Sequence, residues 1–144
     1  MNNDTRWWQG FWWLIAGLVS LWLLWMTLRP NPEVARELET LTAPATARGI
    51  SYFWLIDIAG NIAVFAPLGA AVALALSVSR SLASRVLLGT GAGLLVSAFI
   101  ELLQGLSSSR VSSLGDVVLN GIGAAMGALI ATWLSRWRRG AARG

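Results

Sequence analysis

From Trp7 to Leu28 the chain runs for about 22 residues without a charged side chain, the length a helix rising about 1.5 Å per residue needs to cross a hydrocarbon core of roughly 30 Å. Three further apolar runs follow, at 52–79, 86–106 and 114–134. Inside a bilayer the backbone finds no water, so a spanning segment has to satisfy its own N–H and C=O groups. Only helices and closed barrels do this, and runs this long without strict alternation select the helix. The fold class that follows is all-α, a polytopic membrane protein of four transmembrane helices in a single domain over residues 1–144. A composition of 56% hydrophobic and 12% charged residues, with a mean hydropathy of +0.61, excludes an ordinary soluble domain.

The first run also has to be weighed as a signal peptide, because small residues at Thr42–Ala47 resemble a cleavage site. The run is longer than a typical signal core and those residues lie far beyond it, so a retained first helix is expected. Trp7, Trp8, Trp12 and Trp13 gather at one end of this run and Trp22 and Trp25 near the other, the placement of an interfacial aromatic belt. Residues 29–51 form the one long polar segment. Pro30, Pro32 and Pro44 punctuate it, and a short surface helix is expected over 32–41, with Pro32 at its first position.

Orientation follows from arginine, since the chain has eleven basic residues and no lysine. With the N-terminus inside, Arg6, Arg80, Arg85, Arg136, Arg138, Arg139 and Arg143 flank the cytoplasmic ends of the spans, against Arg29, Arg36, Arg48 and Arg110 outside. The positive-inside rule therefore predicts that both termini are cytoplasmic. These basic residues flank apolar segments, so phospholipid headgroups, and not nucleic acid, are the anionic partner they suit.

Cysteine and histidine are absent from the chain, which removes thiolate nucleophiles, Cys/His zinc sites and imidazole bases. What remains is a set of charges and amides where a membrane protein should have none. Ser97, Glu101 and Gln104 share one face of the third run. Asp116 and Asn120 share a face of the fourth, and Asp57 and Asn61 a face of the second. The third and fourth runs are joined by a short polar link carrying Arg110, which makes them antiparallel neighbours. Helical rise puts Asp57, Glu101 and Asp116 at similar depth below the outer surface, with Asn61 and Asn120 about a turn deeper. A charge at the centre of a span costs roughly 2.5–3.5 kcal/mol, less near the interface. An outward-facing pocket of Asp57, Asn61, Glu101, Gln104, Arg110, Asp116 and Asn120 is therefore expected, in which Arg110 pairs with Glu101 or Asp116. A divalent cation held by Asp57, Glu101 and Asp116 is the one cofactor this pattern suggests. Structural hydrogen bonding between helices is the competing reading for Asn61, Gln104 and Asn120. Gly89 and Gly93, and Gly123 and Gly127, are spaced for close helix approach and offer a surface for a protein partner. GTGAG at Gly89–Gly93 lacks the strand and lysine of a phosphate loop.

The ordered series Asp57, Asn61, Phe65, Pro67, Gly69, then Ser97, Glu101, Gln104, then Arg110, and finally Asp116, Asn120, Gly123 resembles the VanZ-like family of small bacterial membrane proteins, over about residues 57–127. The resemblance implies a multi-pass protein of the bacterial cytoplasmic (inner) membrane, linked in some members to reduced action of lipoglycopeptide antibiotics. Four functions are compatible with these residues. The first is a pocket that binds a lipid-linked or peptidoglycan-related envelope molecule. The others are an enzyme acting on a lipid phosphate, for which no nucleophile motif is visible, a channel or proton-coupled transporter, and a non-catalytic subunit of a larger complex. The transporter ranks behind the first two because the inner halves of the spans offer little polarity beyond Thr90 and Thr132.

Overall fold

The computed structural model describes residues 3–28, 53–76, 79–106 and 114–141, with side chains from Thr5 in the first of these segments and from Ile58 in the second. The expected surface helix at 32–41 and Arg110 lie outside the described residues. Four helices make up the fold: α1 (Asn3–Leu28), α2 (Phe53–Ala75), α3 (Leu82–Leu106) and α4 (Leu114–Ala141). All four are long and apolar enough to cross a membrane. Their outer faces are crowded with exposed Leu, Ile, Phe and Trp, among them Trp7, Leu21, Leu87, Leu95, Leu102 and Trp133. In water such a surface would aggregate. Against lipid tails it is the solvated face.

The first and last helices run beyond their expected spans, starting at Asn3 and ending at Ala141, and two further boundaries that differ from the sequence expectation bear on function. The second span stops at Ala75, four residues short of Ser79, and Ser81 caps the next helix by accepting the Ser84 backbone N–H at 3.1 Å. A serine cap of this kind satisfies one of the orphan donors of a helix start. The cap pulls the start of α3 back to Leu82, so Arg85 belongs to a spanning helix and not to a cytoplasmic flank. There it is buried, with a relative exposure of 1%.

The bundle is held on its parallel pair. α2 packs most closely on α4, α3 on α4 next, and α1 lies chiefly against α2, with little contact to α3. Glycine makes the α2–α4 contact possible. A Cβ at Gly127 would overlap the carbonyl of Ala66, and one at Gly123 the carbonyl of Ile62. The same helix meets α3 through Gly89 and Gly93, opposite Ala128 and Ala124. All four glycines proposed as a partner surface are thus buried against the chain's own helices, and small-residue packing here builds the monomer. Around this seam a cluster of Ala16, Leu23, Phe65, Leu68, Ala71, Val72 and Ile100 closes the interior.

Candidate functional site

Several hydroxyls in the spans are spent on their own helix. Ser20 donates to the carbonyl of Ala16 at 2.8 Å, Thr27 to Leu23 at 2.6 Å, and Thr90 to Val86 at 2.8 Å, the usual way a short polar side chain is satisfied away from water. The residues singled out by sequence behave differently, because they reach across helices.

Asn61 on α2 donates through Nδ2 to Oδ1 of Asp116 on α4 at 3.3 Å. Asn120, one turn further along α4, donates through Nδ2 to the Ser97 hydroxyl of α3 at 2.8 Å. Both members of that second bond are buried, and Oδ1 of Asn120 has no hydrogen-bond partner. Turning the amide over would exchange which atom is bonded without satisfying the other. Glu101 follows Ser97 by one turn on the same face of α3 and is buried to 9% exposure. Three helices thus contribute Asn61, Asp116, Asn120, Ser97 and Glu101 to one end of the bundle. Along the α2–α4 seam Gly123 faces the Ile62 carbonyl and Gly127 the Ala66 carbonyl, so Asn61 lies about a turn deeper than Asp116 and reaches back to it. Asp57 lies one turn before Asn61 on α2, which places it toward the membrane edge of the same helix face; its side chain is outside the described residues.

Gln104 has another task. Its Nε2 donates to the carbonyl of Thr27 at 3.2 Å, one of the last four carbonyls of α1 that have no partner within their own helix. This side chain ties the end of α1 to α3. Among the described residues no group of three Asp or Glu stands close enough to hold a metal ion. The cation suggested by the sequence would therefore need Asp57 beside Glu101 and Asp116.

The opposite end carries what the sequence reading overlooked. Arg85 donates through Nε to the carbonyl of Ala73 at 2.7 Å, near the end of α2, and through Nη1 to the Ser135 hydroxyl of α4 at a long 3.5 Å. Arg139 reaches the same hydroxyl at 3.4 Å. The inner half of the bundle is therefore not as apolar as Thr90 and Thr132 alone suggest. A usable signal was present in the spacing: Arg85, Gly89, Gly93, Ser97 and Glu101 recur every four residues and form one buried face of α3.

Four membrane-crossing helices with an acid–amide network at one end, and arginine buried at the other, define a multi-pass membrane protein with two polar centres in its interior. A family model for VanZ/LLP1 matches residues 12–135. The chain belongs to the VanZ/LLP1 family. No curated protein and no solved structure shows a match.

Proposed function

We propose that the acid–amide end of the bundle binds a lipid-linked or peptidoglycan-related molecule of the bacterial cell envelope, reached from the outer face of the cytoplasmic membrane. The observation that carries this reading is the convergence of Asn61, Asp116, Asn120, Ser97 and Glu101 from three helices at one end. Inside a bundle, carboxylates and amides are costly to keep, and such intramembrane groups mark ligand or ion paths by default. The half-satisfied Asn120 amide supports a ligand over a closed structural network, since a purely structural bond pattern would leave no polar atom orphaned. Arg110, in the segment 107–113 between α3 and α4, would offer a guanidinium able to clamp a phosphate or carboxylate on such a ligand. Membership of the VanZ/LLP1 family makes glycopeptide action the phenotype to read.

The test is a strain in which the protein is expressed as Asp57→Ala, Glu101→Ala, Arg110→Ala or Asp116→Ala, with membrane levels checked by immunoblot and teicoplanin susceptibility as the readout. Loss of the phenotype in these variants, with Arg6→Ala unchanged, is the expected outcome. Wild-type susceptibility in all four at normal abundance would refute the assignment.

A further inference from the structure

At the end that holds the start of α1 and the end of α4, a cavity of about 390 Å³ is lined by Trp8, Trp12, Arg85, Ser135, Arg138 and Arg139, with Leu74 and Ala131 among its apolar walls. We infer that this cavity is a binding site for a phosphate group, carried by an anionic lipid headgroup or supplied free, with Arg85 and Arg139 as its two cationic clamps. This site is distinct from the acid–amide network. Glu101 and Arg85 are separated by sixteen residues of α3, about 24 Å along the axis.

The argument begins with charge. Arg85 is almost fully buried, in a spanning helix, with a single short hydrogen bond, to the Ala73 carbonyl. A guanidinium offers five N–H donors, and the bond to Ser135 is long. Beyond the Ala73 carbonyl, the partner it finds among the described residues is that hydroxyl, so neutral oxygens alone face a charge carried into the bundle. Arg139 converges on the same hydroxyl, so two cations share one neutral oxygen, well inside a Debye length of about 8 Å. Arg138 stands in the same wall, and no carboxylate is among the lining residues. An arrangement that concentrates positive charge on a cavity with no carboxylate among its described lining residues favours an anion.

The hydroxyl at the centre is already oriented. Ser135 donates to the Thr132 carbonyl at 2.8 Å, which leaves its lone pairs to accept from the two arginines. The Nε1 of Trp12 is buried and has no acceptor, although Trp12 lines the same space. A phosphate oxygen would supply one. Two guanidinium forks and an indole N–H match the acceptor-rich surface of a phosphate. The apolar indole faces of Trp8 and Trp12 would lie along whatever chain the phosphate carries. Basic pockets between helices at a membrane face have the chemistry that recognises anionic headgroups.

The experiment uses full-length protein purified in detergent. Native mass spectrometry is recorded after exposure to dioleoyl phosphatidylglycerol or dioleoyl phosphatidylcholine, and binding of inorganic phosphate is followed in parallel by calorimetry. Preferential retention of phosphatidylglycerol, reduced at least tenfold in Arg139→Gln and in Arg85→Gln and unchanged in Arg6→Gln, is the expected result and assigns the phosphate to a lipid. Saturable phosphate binding with the same variant pattern also supports the site and assigns it to a free ligand. Trp12→Phe, which removes only the N–H donor, should weaken either binding severalfold and keeps the test valid if Arg85→Gln does not fold. Equal retention of both lipids together with no phosphate binding overturns the inference, as does selective binding that survives Arg139→Gln and Trp12→Phe. Neither readout depends on the antibiotic phenotype, so failure here and failure of the acid–amide site remain distinguishable.

Discussion

Asn120 and Ser97 show what separates a polar residue that merely tolerates the membrane from one that shapes the interior. A hydroxyl bonded to its own helix, such as Thr90 on the Val86 carbonyl, can be replaced at little cost. The Asn120–Ser97 bond joins α4 to α3, and without Ser97 the buried amide would lose the one partner it has. Ser97→Ala is therefore expected to lower stability by about 1 kcal/mol, and Thr90→Val by less than about half of that. Thermal unfolding in micelles measures both. Equal effects would mean that the inter-helix bond contributes nothing beyond an ordinary hydroxyl. Arg85 teaches the complementary lesson. Its place on the buried face could be read from the four-residue spacing through Gly89, Gly93, Ser97 and Glu101, but only once the Ser81 cap had fixed where α3 begins.

Helix packing in this chain is decided where backbone meets backbone. Gly127 lies so close to the Ala66 carbonyl that no side chain fits, whereas Gly17, on the exposed side of α1, has nothing within 4 Å of where a Cβ would be. Gly127→Leu should cost well over the ~1–3 kcal/mol of ordinary overpacking, because the obstacle is main chain and cannot rotate away. Gly17→Ala should be neutral or stabilise by up to about 1 kcal/mol through helix propensity. Fluorescence-detected size exclusion of the two variants reads the difference: a collapsed monomer peak for the first, a wild-type peak for the second. The close spacing of small residues was visible in sequence, and its use between α2 and α4 was not. A pair of glycines four apart states that some backbone can approach, and leaves open whether that backbone is a neighbour or a partner. Proximity in three dimensions settled it in favour of the chain's own α2.

Among the described side chains, charge is sorted between the two ends of the bundle. Asp116 and Glu101 stand at one end of the bundle, while Arg85, Arg138 and Arg139 gather at the other with the start of α1 and the end of α4. This polarity agrees with the arginine count of the flanks and predicts a cytoplasmic location for the basic end. The chain has no cysteine, so single substitutions make clean reporters. In intact spheroplasts, Leu106→Cys should react with a membrane-impermeant maleimide, and Ser79→Cys and Gly140→Cys only after lysis. The reverse labelling pattern would invert the orientation and place the acid–amide end on the cytoplasmic side.

Composition and periodicity were enough to establish that this chain crosses a membrane four times as helices, because apolar length and the need to satisfy backbone groups in lipid are properties of a linear string. They also picked out Asn61, Glu101, Asp116 and Asn120, since a charge or amide inside an apolar run is conspicuous wherever it ends up. Which of these groups touch, that Gln104 instead anchors the end of α1, and that Arg85 and Arg139 meet over Ser135 depended on the relative shift and tilt of the helices. Those quantities are set by close contacts between backbones at Gly123 and Gly127, and no local pattern along the chain encodes which carbonyl a glycine will face.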